Sequence, residues 1–364
     1  MQLIEEAQNM ELNRRKLCLS FGATAALATL PMTSLFAAFA DEKETSEEVK
    51  ALVAKGLEYL RVQAQAADGS FSSATGVGPT GLVLAAILSS GVSTEDPMAA
   101  KALKYLLSHV HDDGGIYAEG SRHQNYDTCI AIVALNKANK DGKYAAQLKA
   151  AEAFVKKLQW DGGEGKDGAD GFFGGAGYGS KARPDLSNTS FLVDALHDLG
   201  RGSDDEAIQR ALVFISRCQN LESPANTTPP AAKVNDGGFY YTIANGGESM
   251  AGTDANGGLR SYGSMTYAGL KSMIFAGVTK DDQRVKAAVS FLKKNYSIDS
   301  NPGMGQSGLF YYYHTMAKAL TALGVDEFND DAGGTHDWKS GDPRQVESCS
   351  AAKRQLGQLR RSAG

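Results

Sequence analysis

A dominant charge of one sign is absent: 37 Lys and Arg against 42 Asp and Glu leave a net −5 over 364 residues. A phosphate-binding surface needs clustered Lys and Arg, so no nucleic-acid partner is expected. Cysteine is scarce, at four. Cys18 falls in a leader, and Cys129, Cys218 and Cys349 are too few for a disulfide framework, so each reads as a small buried residue. Glycine is plentiful at 41, yet it forms no low-complexity tract. It falls at intervals between helical stretches, where turn chemistry calls for it.

Residues 1–40 read as a targeting segment. Arg14-Arg15-Lys16 precedes an apolar run from Leu17 to Phe39, and Ala38-Phe39-Ala40 offers a cleavage site before Asp41. Asn13-Arg14-Arg15-Lys16-Leu17 also resembles a twin-arginine signal, which exports a folded chain. The apolar run is long enough to span a bilayer if it stays uncleaved. The expectation is export to the periplasm or beyond, either free or held by an N-terminal anchor at a membrane surface or cell envelope. A charged linker, 41–48, follows.

Beyond it the chain repeats. Five stretches place a residue before Thr at the start of a small, apolar helix: Pro79-Thr80, Asp127-Thr128, Asn188-Thr189, Met265-Thr266 and His314-Thr315. Three of them end in a glycine eleven residues after the Thr, at Gly91, Gly200 and Gly277, as a left-handed C′ position favours. Between them lie amphipathic helices with an aromatic at 59, 105, 154, 214 and 291. Asp-Gly turns with a following aromatic join the two kinds, at Asp68-Gly69, Asp113-Gly114, Asp170-Gly171 and Asp236-Gly237, with a degenerate fifth from Gly305 to Phe310. Each unit is a polar outer helix, a tight turn and an apolar inner helix. Two insertions, 161–184 and 220–235, lie where rim loops would carry function. The fold class is therefore all-α, an α/α toroid of about five to six helical hairpins over 49–328, with an open solenoid as the alternative. An irregular tail, 329–364, follows, in which Thr335 to Lys339 is expected to begin a sixth outer helix.

GLEYLRVQAQAADGSF at 56–71, and ALVFISRCQ at 211–219 with NDGGFYY at 235–241, resemble the repeat of squalene and oxidosqualene cyclases and of protein prenyltransferase β subunits. The resemblance implies a toroid whose inner helices surround an aromatic-lined cavity that holds isoprenoid chains. It does not carry the family's chemistry over whole. No Asp-x-Asp-Asp acid occurs, and the Asp-Cys-Thr-Ala-Glu motif is only echoed by Asp127-Thr128-Cys129. His314 matches the zinc-ligand His of the prenyltransferases, but the turn that should hold the other ligands reads Arg260-Ser261-Tyr262. Neither a metal nor another cofactor is expected.

Two readings of the pre-Thr residues stay open. In one, Asp127 is a general acid raised by an apolar cavity and His314 tunes it, while Tyr126, Asn188, Tyr262, Tyr312 and Tyr313 contact ligand. In the other, Asp127 and Asn188 satisfy orphan backbone N–H groups. The partner expected is an isoprenoid or similar apolar small molecule. Alternatives are a non-catalytic repeat protein that binds a partner or envelope component, and a toroid polysaccharide lyase or glycosidase.

Overall fold

The structure, a computed structural model, describes residues 47–339, all within one compact unit. The leader expected at 1–40, most of the expected linker, Cys349 and the tail from 340 lie outside the described residues. In chain order the elements are α1 (Glu47–Tyr59), α2 (Gly78–Ser89), α3 (Pro97–Leu107), α4 (Gln124–Ala138), α5 (Ala145–Leu158), α6 (Leu186–Asp198), α7 (Glu206–Arg217), α8 (Pro229–Val234), α9 (Gly263–Phe275), α10 (Gln283–Lys294), α11 (Leu309–Leu323), β1 (Glu327–Asn329) and β2 (Thr335–Asp337).

The fold is all-α. α2, α4, α6, α9 and α11 are the inner helices, and each packs along the next. α3, α5, α7 and α10 pack on their outer side. Asp96, Asp205 and Asp282 cap outer helices by accepting first-turn N–H groups, as short acidic side chains do at this position. Four of the five inner helices end in left-handed Gly91, Gly200, Gly277 and Gly324, in keeping with the expected C′ glycines, while α4 ends at Asn139 with φ −91°.

Three polar contacts recur between units. First, the inner-helix Thr hydroxyl accepts a backbone N–H from the turn before it: Phe71 to Thr80 at 2.9 Å, Ile116 to Thr128 at 2.9 Å, Ala176 to Thr189 at 3.0 Å and Phe239 to Thr266 at 3.0 Å. Second, Gln65, Gln159 and Gln219 each donate both to a turn carbonyl (Gly69, Gly174, Gly237) and to a carbonyl at the next outer helix (Met98, Ala207, Arg284). Third, Gly69, Gly114, Gly174 and Gly237 hold φ of +81° to +92° against a carbonyl of that helix, where a Cβ would collide. The third turn is therefore Phe173-Gly174-Gly175-Ala176. The sequence pointed instead to Asp170-Gly171, which belongs to the inserted loop.

The described residues form an arc: α2 and α11, the first and last inner helices, do not pack along one another. α11 instead leans inward onto α6. Ser187 donates to the Tyr311 hydroxyl at 3.0 Å, and Lys318 reaches Asp194 at 2.7 Å. α9 is thereby covered on every side and buried at each position from Gly263 to Met273. The sixth outer helix expected from Thr335 is not formed. Thr335–Asp337 pairs antiparallel with Glu327–Asn329, and Phe328 packs into the core.

The Thr-to-turn bond is buried, so losing its acceptor strands an N–H in apolar surroundings. Thr128→Val is expected to destabilise the fold by about 1–3 kcal/mol in urea unfolding.

Candidate functional site

α2, α4, α6 and α11 line a cavity of about 960 Å³ on the inner side of the arc, open to solvent past Leu82, Phe310 and His314. Helical spacing decides which residues reach it. On α4 these are Tyr126, Ile130, Val133 and Lys137, and on α11 they are Tyr311, His314 and Lys318, i, i+3 and i+4 neighbours on one face. The helix N-terminal end is aromatic. Phe191 meets Tyr126 edge-on at 5.1 Å and Tyr311 at 6.2 Å, and Tyr178 closes on Tyr126 at 6.0 Å. The middle is aliphatic, with Leu82, Ile130 and Val133.

The other end is charged. Asp194 of α6 lies 2.6 Å from Lys271 of α9 and 2.7 Å from Lys318 of α11. Burial works to raise the Asp194 carboxyl, but the two ammonium groups outweigh it and hold the pKa at about 2. Burial pulls Lys271 down to about 8 against the opposing pull of Asp194. His314 is lowered to about 4, first by the surrounding protein and then by Lys318 and Lys271, so its imidazole is neutral at physiological pH.

The expected site residues divide between the cavity and the frame. Tyr126 and His314 line the cavity. Asp127 does not: it is buried, and its carboxylate accepts the Gly78 N–H at 2.8 Å and the Ser121 hydroxyl at 3.3 Å. It caps α2, and burial raises its pKa. Asp127 and His314 are thus not an acid and its partner at one place. Asn188 is buried, with its amide donating to Asp185 at 2.7 Å. Tyr262 is buried in the core around α9. Tyr312 and Tyr313 turn away from the cavity, donating to the carbonyls of Ser297 at 2.7 Å and Ile298 at 2.5 Å. Tyr311 is the member of the triplet that faces inward.

Sequence reasoning missed Tyr311, Phe191, Asp194, Lys318 and Lys137. A signal was present: Lys271 and Lys318 are the lone Lys, Arg, Asp or Glu of their inner helices, and a charge in such a helix needs a buried partner. Asp185 was missed too. It caps α6 by accepting the Asn188 N–H at 2.8 Å, and burial pushes its pKa up to about 6. Residues 185–188 read Asp-Leu-Ser-Asn, the spacing of an Asp-x-Asp-Asp acid with only its first carboxylate. Ser187 takes the place on the cavity wall. Cys129 and Cys218 are free and buried, and among the described residues no group of three His, Cys, Asp or Glu gathers as metal ligands would.

The family model of the squalene-hopene cyclase C-terminal domain matches residues 73–239. That segment covers α2 to α8 and the turn that follows, and over it the chain is similar to the squalene-hopene cyclase repeat. A comparison with curated proteins gave no match.

Two measurements probe the buried charges. Asp194→Asn leaves Lys271 buried without its counter-ion, and chemical denaturation is expected to show a loss of about 3–5 kcal/mol. Burial raises the folded pKa of Asp185 to about 6, against about 3.9 for a free Asp carboxyl. The protonated form is favoured by folding, so its contribution is complete below the lower value and lost as pH rises through the upper one. Asp185→Asn keeps a capping oxygen without that titration. Its stability relative to wild type should rise by up to about 3 kcal/mol from pH 4 to pH 7, followed by thermal melts across that range.

Proposed function

We propose that this protein binds an isoprenoid or similar apolar ligand in the cavity between α2, α4, α6 and α11. The observation that carries this is the cavity itself: at about 960 Å³ it falls at the top of the 300–1,000 Å³ or so typical of small-molecule sites, and its middle is aliphatic between an aromatic and a charged end. The terpenoid cyclase-like repeat supports the ligand class. Binding without turnover is the favoured reading. A cyclase needs a proton donor facing the alkene, whereas Asp127 is committed to α2 and the 185–188 segment presents Ser187 to the cavity. A glycosidase would need two carboxylates across a sugar. Asp194 is the one carboxylate lining the cavity among the described residues, and two lysines neutralise it.

The targeting segment supports an exported protein that meets its ligand at the cell envelope. Among the described residues no helix is long and apolar enough to cross a membrane, so a membrane anchor on this reading is the leader.

Mass spectrometry of lipid extracted from the purified protein is the direct test, with squalene uptake as the second arm. Leu82 lines the cavity and is partly exposed, so Leu82→Trp fills space without breaking the core. Uptake should fall by about tenfold, a difference of about 1.4 kcal/mol, with an unchanged melting temperature. An empty extract together with no uptake would end the proposal.

A further inference from the structure

The cavity is polarised along its length, and its charged end has one cation too many. α4 runs from Tyr126 to Lys137, so the two ends lie roughly 16 Å apart at 1.5 Å rise per residue. α11 runs the same way, from Tyr311 to Lys318. At the charged end Lys271 is fully buried and sits 2.6 Å from the equally buried Asp194. That contact already neutralises the carboxylate. Lys318 approaches the same carboxylate from the cavity side with 31% of its side chain accessible, and Lys137 is exposed on the adjoining wall. Asp198, one turn beyond Asp194, is the other anion near the group. Three lysines therefore stand against two aspartates, and the imidazole of His314 adds a neutral hydrogen-bonding group beside them.

A surplus cation facing an apolar cavity is costly unless an anion meets it. Asp194 already pairs with Lys318 at 2.7 Å, so the surplus belongs to the three lysines together, and a hydrocarbon would leave it unbalanced. A diphosphate would bring more negative charge than the end can balance. We propose that the ligand is an amphiphile with one negative charge, a carboxylate head held by Lys318 and Lys137, its chain lying along Ile130, Leu82 and Phe191. This rests on the reading that the cavity takes an apolar chain and adds which head that chain carries.

The test compares farnesoic acid, farnesol and farnesyl diphosphate, which share one chain, by calorimetric titration of the delipidated full chain at neutral pH. The acid should bind at least about tenfold more tightly than the alcohol, and added salt should weaken the acid alone. Lys318→Met should remove most of that preference while leaving the alcohol within about twofold. Lys137→Met, at an exposed position where folding is not at stake, should reduce it by about threefold. Equal binding of acid and alcohol overturns the carboxylate head and leaves the apolar cavity standing. Tighter binding of the diphosphate than of the acid overturns the single charge. Binding of none of the three overturns the cavity reading and the head with it.

Discussion

The contact on which the arrangement depends is the close approach of each turn to the next outer helix. At Gly69, Gly114, Gly174 and Gly237 the backbone lies against a helix carbonyl too closely for any side chain. The glutamine amides then tie the same turns to the same helices, and the threonine hydroxyls tie them to the inner row. A hairpin alone could not bury its apolar face. Stacked through these bonds, successive hairpins share one core, as repeat proteins do.

Asp194 does for the inner row what the turns do for the outer one. A single buried carboxylate links α6, α9 and α11 through two lysines. It draws α11 inward, which hides α9 and narrows the arc into a cavity. The inward lean also explains the tyrosine triplet. Tyr311 faces α6, while Tyr312 and Tyr313 point back to the 297–298 loop and act as fasteners.

The all-α class, the hairpin unit and the glycine stops were legible because each rests on local chemistry: helical spacing, Asp-Gly turns and left-handed caps. The third turn misled because the inserted loop repeats the Asp-Gly signal at 170–171, and only contact with α7 distinguishes it from Gly174. The cavity residues were half legible. Tyr126 and His314 follow from their place at a helix start, whereas Asp127 shares that place and is used to cap α2, a choice made by a neighbour 49 residues away in sequence. Asp194, Lys271 and Lys318 meet only in three dimensions. Each is visible in the sequence as a charge out of place, without its partner being named.

The β1–β2 pair gives the row unequal ends. Phe328 is buried against α10 and α11, and Trp338 donates to the Val325 carbonyl at 2.9 Å, so this margin is sealed. α1, at the opposite margin, has no buried residue. In a row of units held mainly by nearest neighbours, opening begins where the last interface is weakest. Among the described residues the α1 margin is therefore the one with least to hold it, while the β1–β2 margin keeps α11 and its lysine fixed at the far end of the row.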